Sequence, residues 1–163
     1  MSDNRYSIRE IRQEDNASVE QIIKSNFIEL GLPLFGTAYA DAETSKMYES
    51  YQGAHEIYYV VEKDGKVFGG AGIKPLRDFE NSVCELQKMY FSPEIRGLGL
   101  GKKVLVKCLE KAKEFGFKTC YLETIPSLKA AIHLYEVLGF TQIDGPLGNT
   151  GHFSCDVQMT KEL

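Results

Sequence analysis

Arg96-Gly97-Leu98-Gly99-Leu100-Gly101-Lys102 separates a β-forming run, Val83 to Phe91, from an amphipathic run, about Gly101 to Phe115. Glycines let a backbone turn tightly and bring bare N–H groups against an anion. A helix that opens at such a turn adds unpaired N–H donors and the positive end of its dipole. A diphosphate suits that arrangement, and Lys102 and Lys103 can supplement it from the first turn. Two nucleotide-binding templates fail on this stretch. A Walker A loop needs G-x-x-x-x-G-K-[ST], and the spacing and the hydroxyl are both missing. A dinucleotide fingerprint needs G-x-G-x-x-G, and the third glycine comes one residue too early. The pattern that fits is R/Q-x-x-G-x-G/A, met by Arg96, Gly99 and Gly101.

Outward from this turn, apolar periodicity lays out the rest. Tyr6 to Ile11 suits a short strand, and Asp15 stands where a cap would open a helix carrying Val19, Ile22, Ile23, Phe27 and Leu30. A second helix is expected around Ala42 to Tyr51. His55 to Glu62 and Val67 to Ile73 flank Asp64-Gly65, a hairpin signal. Val104, Leu105, Cys108, Leu109 and Ala112 form the inner face of the helix after the glycine turn, with Gly116 at its end. Thr119 to Thr124 reads as a strand, then a helix runs from Pro126 or Ser127 to Leu138, a strand from Phe140 to Ile143, and a final strand from Phe153 to Met159. The order β-α-α-β-β-β-α-β-α-β-β predicts an α/β (mixed α+β) fold. Its central sheet is mixed and mostly antiparallel, with about six to seven strands flanked by about four helices.

Three pieces in this order carry a family resemblance: the glycine turn, Glu85-Leu86-Gln87-Lys88-Met89-Tyr90-Phe91-Ser92-Pro93-Glu94 before it, and Ala131-Ile132-His133-Leu134-Tyr135-Glu136-Val137-Leu138-Gly139-Phe140 after it. Together they resemble the acyl-CoA signature, the E-L-x-x-L-Y-V-x-P-E strand and the A-x-x-L-Y-E-x-x-G-F helix of the GNAT superfamily of N-acetyltransferases. The resemblance implies one such domain over residues 1–163 and acetyl-CoA as co-substrate. It implies a pantetheine arm between the fourth and fifth strands, beside a bulge near Met89, Tyr90 and Phe91. The Met89 amide would hold the thioester carbonyl, and amides across Gly97, Leu98, Gly99, Leu100, Gly101 and Lys102, after Arg96, would hold the diphosphate. Tyr135 would protonate the departing sulfur. Glu85 is the candidate base, with Glu123 as the competing carboxylate. Leu128 departs from the pattern, since many members carry Asn there, and a contact to the pantetheine or to water is lost with it.

The acceptor is expected to be a primary amine of a small molecule or protein, attacking directly in a ternary complex; the alternative is a CoA-binding sensor without turnover. Leu32 to Tyr39 and Gly148 to Asp156 are the candidate pocket walls, and Asp41, Glu43 and Asp156 would suit a cationic amine. A plain edge strand is the reading for His152 and Cys155. A homodimer is an expectation of the resemblance alone. The net charge of −4 and the absence of long Lys or Arg blocks give no reason to invoke nucleic acid or anionic lipid. No stretch approaches the ~20 apolar residues of a membrane helix. Met1 to Tyr6 does not read as a leader. Cys84, Cys108, Cys120 and Cys155 and the isolated His55, His133 and His152 lack metal-site or disulfide spacing. A reduced, cytoplasmic protein without a metal is the resulting expectation.

Overall fold

A computed structural model describes residues 5–163; Met1 to Asn4, which bear on the leader reading, lie outside the described residues. The chain runs β1 (Ser7–Glu10), α1 (Asn16–Glu29), α2 (Met47–Ser50), β2 (Ile57–Lys63), β3 (Lys66–Pro75), β4 (Val83–Phe91), α3 (Leu100–Glu114), β5 (Thr119–Thr124), α4 (Lys129–Val137), β6 (Thr141–Ile143) and β7 (Val157–Glu162). One seven-stranded sheet has the order β1-β2-β3-β4-β5-β7-β6. Every neighbouring pair is antiparallel except β4 with β5. The mixed, mostly antiparallel sheet with four helices is therefore as expected.

The pleat of β2 explains how both faces are filled. Ile57, Tyr59 and Val61 join the cluster under α3, which includes Val104, Leu105 and Cys108. Tyr58 and Val60 point the other way, toward Val19, Ile23 and Phe27 of α1. Burial on both faces requires near-continuous apolar runs, which is why β2 to β4 lack clean alternation.

Two expected elements are corrected. Ala42 to Tyr51 is not one helix: a 3₁₀ turn at Ala42–Ser45 is followed by the single-turn α2. Lys46 between them is not helical (φ −143°), and the Tyr48 N–H is taken by Asn16 Oδ1 at 2.8 Å. The last strand starts at Val157 rather than Phe153. Residues 153–156 are instead a loop tied down by Ser154 N–H to Gly36 O (3.2 Å) and Gln158 Nε2 to Cys155 O (3.0 Å). Asp15 stands at the start of α1 but does not cap it. Its carboxylate accepts the Arg12 N–H at 2.7 Å and a paired contact from Arg9.

One irregularity matters more than the others. Gly70 pairs with Tyr90 and Gly72 with Gln87, so β4 carries an extra residue opposite β3 at Lys88-Met89. Lys88 sits in left-handed backbone (φ 50°), a conformation that costs a side-chain-bearing residue about 1–2 kcal/mol and persists only where its surroundings hold it. The buried Tyr58 hydroxyl supplies one such hold, donating to the Lys88 carbonyl at 2.7 Å. Tyr58→Phe leaves that carbonyl unpaired and should lower stability by about 1–2 kcal/mol, read from urea unfolding; no change would remove Tyr58 as a support of the bulge.

Candidate active site

Beyond the bulge the sheet opens. Strands β4 and β5 pair only at Val83–Thr119, Cys84–Cys120 and Glu85–Tyr121. Past Glu85 they diverge, and a cavity of about 60 Å³ lies in the gap, bordered by Glu85, Met89, Glu123, Tyr135, His152 and Cys155 among others. A wider pocket of about 520 Å³ adjoins it and shares Glu85, Gln87, Lys88 and His152 as walls. The sequence candidates Glu85, Glu123, Met89, Tyr90 and Tyr135 thus meet at one place.

Glu85 is buried and is the last residue of the parallel pairing. Gln87 Nε2 donates to Glu85 Oε1 at 2.6 Å, and Tyr51 in turn donates to Gln87 Oε1 at 2.7 Å, which fixes the amide's orientation. Burial pushes the Glu85 carboxyl up to about 7, a shift that the Gln87 hydrogen bond only partly opposes. Glu123 is also raised by burial, and its carboxylate accepts a hydrogen bond from Thr150 Oγ1. Glu85 is therefore the carboxylate poised to gain and lose a proton near neutral pH.

Tyr135 projects from α4 and points its hydroxyl at Met89 Sδ, 4.0 Å away. Burial holds its phenol far above the ordinary tyrosine value, so it stays protonated. Leu128, where the sequence pattern departs, lines the same cavity with an apolar side chain.

At the glycine turn, Arg96 N–H is spent on Pro93 O (3.2 Å) and Lys103 N–H on Gly99 O (3.3 Å). Between these two bonds lie the amides of residues 97–102, at the opening of α3 where a helix leaves its donors unpaired. Gly97 (φ 80°) and Gly99 (φ 76°) adopt left-handed backbone that a side chain would disfavour, which explains both glycines. The Arg96 side chain does not join them. Its guanidinium bonds Glu29 (2.8 and 3.0 Å) and Asn26 Oδ1 (2.9 Å), fastening the turn to α1.

The structure also pairs residues whose contacts the sequence does not foretell. His152 Nε2 lies 2.7 Å from Asp41 Oδ2, and His152 further hydrogen-bonds Cys155. Burial alone would lower the imidazole's pKa, but these bonds and the Asp41 charge raise it to about 10. Lys88, the bulge residue, extends its ammonium to Asp41 (3.0 Å) and Glu43 (3.5 Å). No local pattern announces these pairings, because Asp41 and Glu43 arrive from a loop distant in sequence. The two expected pocket walls do meet, with Phe153 stacked over Gly36.

Residues 18–140 match the model of the acetyltransferase (GNAT) family. The chain belongs to the GNAT family. It is 47% identical over 157 residues to the uncharacterized N-acetyltransferase YjgM of Escherichia coli, covering 96% of this chain and 94% of that one. A GNAT-family acetyltransferase of Staphylococcus aureus superposes with a TM-score of 0.84 at 21% identity, over 97% of this chain and 99% of that one. A GNAT phosphinothricin acetyltransferase of Sinorhizobium meliloti, solved with acetyl-CoA, gives 0.78 at 22% identity, over 98% and 89%. The fold and the enzyme class are thereby shown: this is a GNAT-type N-acetyltransferase. Among the described residues no helix is long and apolar enough to cross a membrane.

The raised Glu85 pKa makes a stability prediction. The folded protein holds a proton on Glu85 that the unfolded chain has released between pH 4.5 and about 7. Stability should therefore fall as pH rises through that window, with no further loss from Glu85 above it. Glu85→Gln removes the penalty, and at pH 8 should gain on the order of 3 kcal/mol over wild type in denaturant unfolding. At pH 4 the two proteins should be nearly equal. A variant with equal or lower stability at pH 8 would refute the placement of Glu85 in a desolvating site.

Proposed function

We propose that the protein binds acetyl-CoA in the cleft between β4 and β5 and transfers the acetyl group to a primary amine by direct attack in a ternary complex. Acetyl-CoA supplies the acetyl group as a thioester and leaves as a thiol. The observation that carries the reading is Glu85, a carboxylate tuned to about 7, on the wall shared by the inner cavity and the outer pocket. It stands between the place where an acyl group fits and the place where an acceptor enters.

The roles follow from the positions. The amides of residues 97–102 receive the diphosphate, charge against the partial positive end of α3. The Met89 amide, at the bulge, is offered to the carbonyl oxygen, where a fixed donor is worth most as negative charge develops. Glu85 accepts the proton that the amine must shed. The Tyr135 hydroxyl, protonated at every working pH, donates toward the sulfur. A single domain over residues 1–163 completes the proposal. The sensor alternative has less support, because a module that only bound CoA would gain nothing from burying Glu85 at a cost to its own stability.

Calorimetric titration with acetyl-CoA, with ATP as control, tests the cleft: saturable binding of acetyl-CoA alone is expected. Thiol release with an amine acceptor tests the chemistry. Because Glu85 must be ionised to accept a proton, kcat/KM should rise with pH through about 7. Glu85→Gln should flatten that limb and lower kcat about 100-fold. Tyr135→Phe should lower kcat by a similar factor and leave acetyl-CoA affinity unchanged. Undiminished turnover in either variant would strike that residue from the mechanism.

A further inference from the structure

The walls of the outer pocket carry an alternating row of charges. Lys74 Nζ lies 3.0 Å from Glu43, Glu43 lies 3.5 Å from Lys88, Lys88 lies 3.0 Å from Asp41, and Asp41 lies 2.7 Å from His152. The row therefore begins and ends on a cation. Asp41 and Glu43, expected from the sequence to attract a cationic amine, are already engaged on both sides. Burial works to raise both carboxyls, yet their basic neighbours hold them below the ordinary range, so both are ionised. Two carboxylates thus face three cations.

The remaining charged walls leave that balance in place. Arg77 lines the pocket from the turn after β3, its Nε donating to the Asn149 carbonyl at 2.8 Å rather than to a carboxylate. Glu56 lines it from the segment before β2 and accepts the Gly53 N–H at 3.0 Å. Glu85 faces it from β4. An ammonium approaching for deprotonation takes Glu85 as its partner. Lys74, Arg77, Lys88 and His152 then stand against Asp41, Glu43 and Glu56, which leaves one positive charge unmatched. Glu123 borders only the inner cavity, where it is held by Thr150.

From this row we infer that the acceptor is an amine carrying its own carboxylate, with the ammonium toward Glu85 and the carboxylate toward Lys74 and Arg77. The excess is a single charge, which a carboxylate matches. A phosphate monoester would bring roughly 1.5 to 2 negative charges. Lys74 is suited to the contact because its ammonium is held over the Tyr51 ring (Nζ 4.5 Å from the centroid) and its side chain is largely buried. The inference rests on the proposed acetyl transfer from acetyl-CoA to an amine.

The test compares kcat/KM for a panel of free amino acids of varied chain length with the corresponding decarboxylated amines and amino-acid amides. Each is assayed by thiol release at saturating acetyl-CoA. The best amino acid should exceed its decarboxylated and amidated counterparts by about tenfold or more, the discrimination expected of a charge-assisted contact. Lys74→Met and Arg77→Met should each shrink that ratio, and Lys74→Arg should restore it. Amines turned over as well as or better than the acids would overturn the inference while leaving acetyl transfer standing. A ratio unmoved in both methionine variants would overturn the assignment of the contact. Bound acetyl-CoA with no turnover of any class would overturn the transferase reading, and this inference with it.

Discussion

Strands β4 and β5 run side by side only as far as Glu85 and Tyr121, and the site depends on their parting there. A continuous parallel sheet would spend its backbone groups on interstrand hydrogen bonds and leave no gap for a ligand. The extra residue at Lys88-Met89 changes the twist and register of β4 where the cavity begins. Glu85, Met89 and Tyr135 come to one cavity because of this local break.

The break itself needs restraint, since a lysine in left-handed backbone is not at rest. Tyr58 holds the carbonyl from one side of the sheet, and Asp41 with Glu43 holds the ammonium from the loop. A buried ammonium is tolerable only with counter-charge in place, and removing both carboxylates would leave it unpaired at a high cost. The ion pairs therefore anchor the loop after α1 to the bulge of β4. The walls of the outer pocket and the geometry of the inner cavity are set by the same contacts.

Much of this was legible in the sequence, for identifiable reasons. The limits of β4 and β5 were readable because their β-forming runs end at strong punctuation, Ser92-Pro93 and Pro126. The α3 stripe was readable because Val104, Leu105, Cys108 and Ala112 repeat at helical spacing, and the glycine turn because only glycine serves at two of its positions. The early helix at Ala42 to Tyr51 was misread because its apolar positions answer to tertiary contacts, the Asn16 cap on Tyr48 and the packing of Met47, rather than to one helical face. Phe153 to Met159 alternates like a strand, but its first half is drawn off toward Gly36. The pairing of His152 with Asp41 had no local signature at all, because it joins opposite ends of the chain.

The same contrast separates what the two carboxylate sets can do. Glu85, the candidate base of the sequence, sits in a distinctive environment: deep burial, with the Gln87 amide as its hydrogen-bond donor. Asp41 and Glu43 looked equally acidic in the sequence, yet their neighbours hold them ionised and occupied. Identical functional groups thus divide into a carboxyl raised toward neutrality and a structural counter-charge according to what stands beside them. The division is stable because it is geometric: the cations lie along the loop-facing wall, and the desolvated carboxyl lies at the strand junction. A carboxylate placed in the first setting would bind a cation, and in the second it would trade a proton.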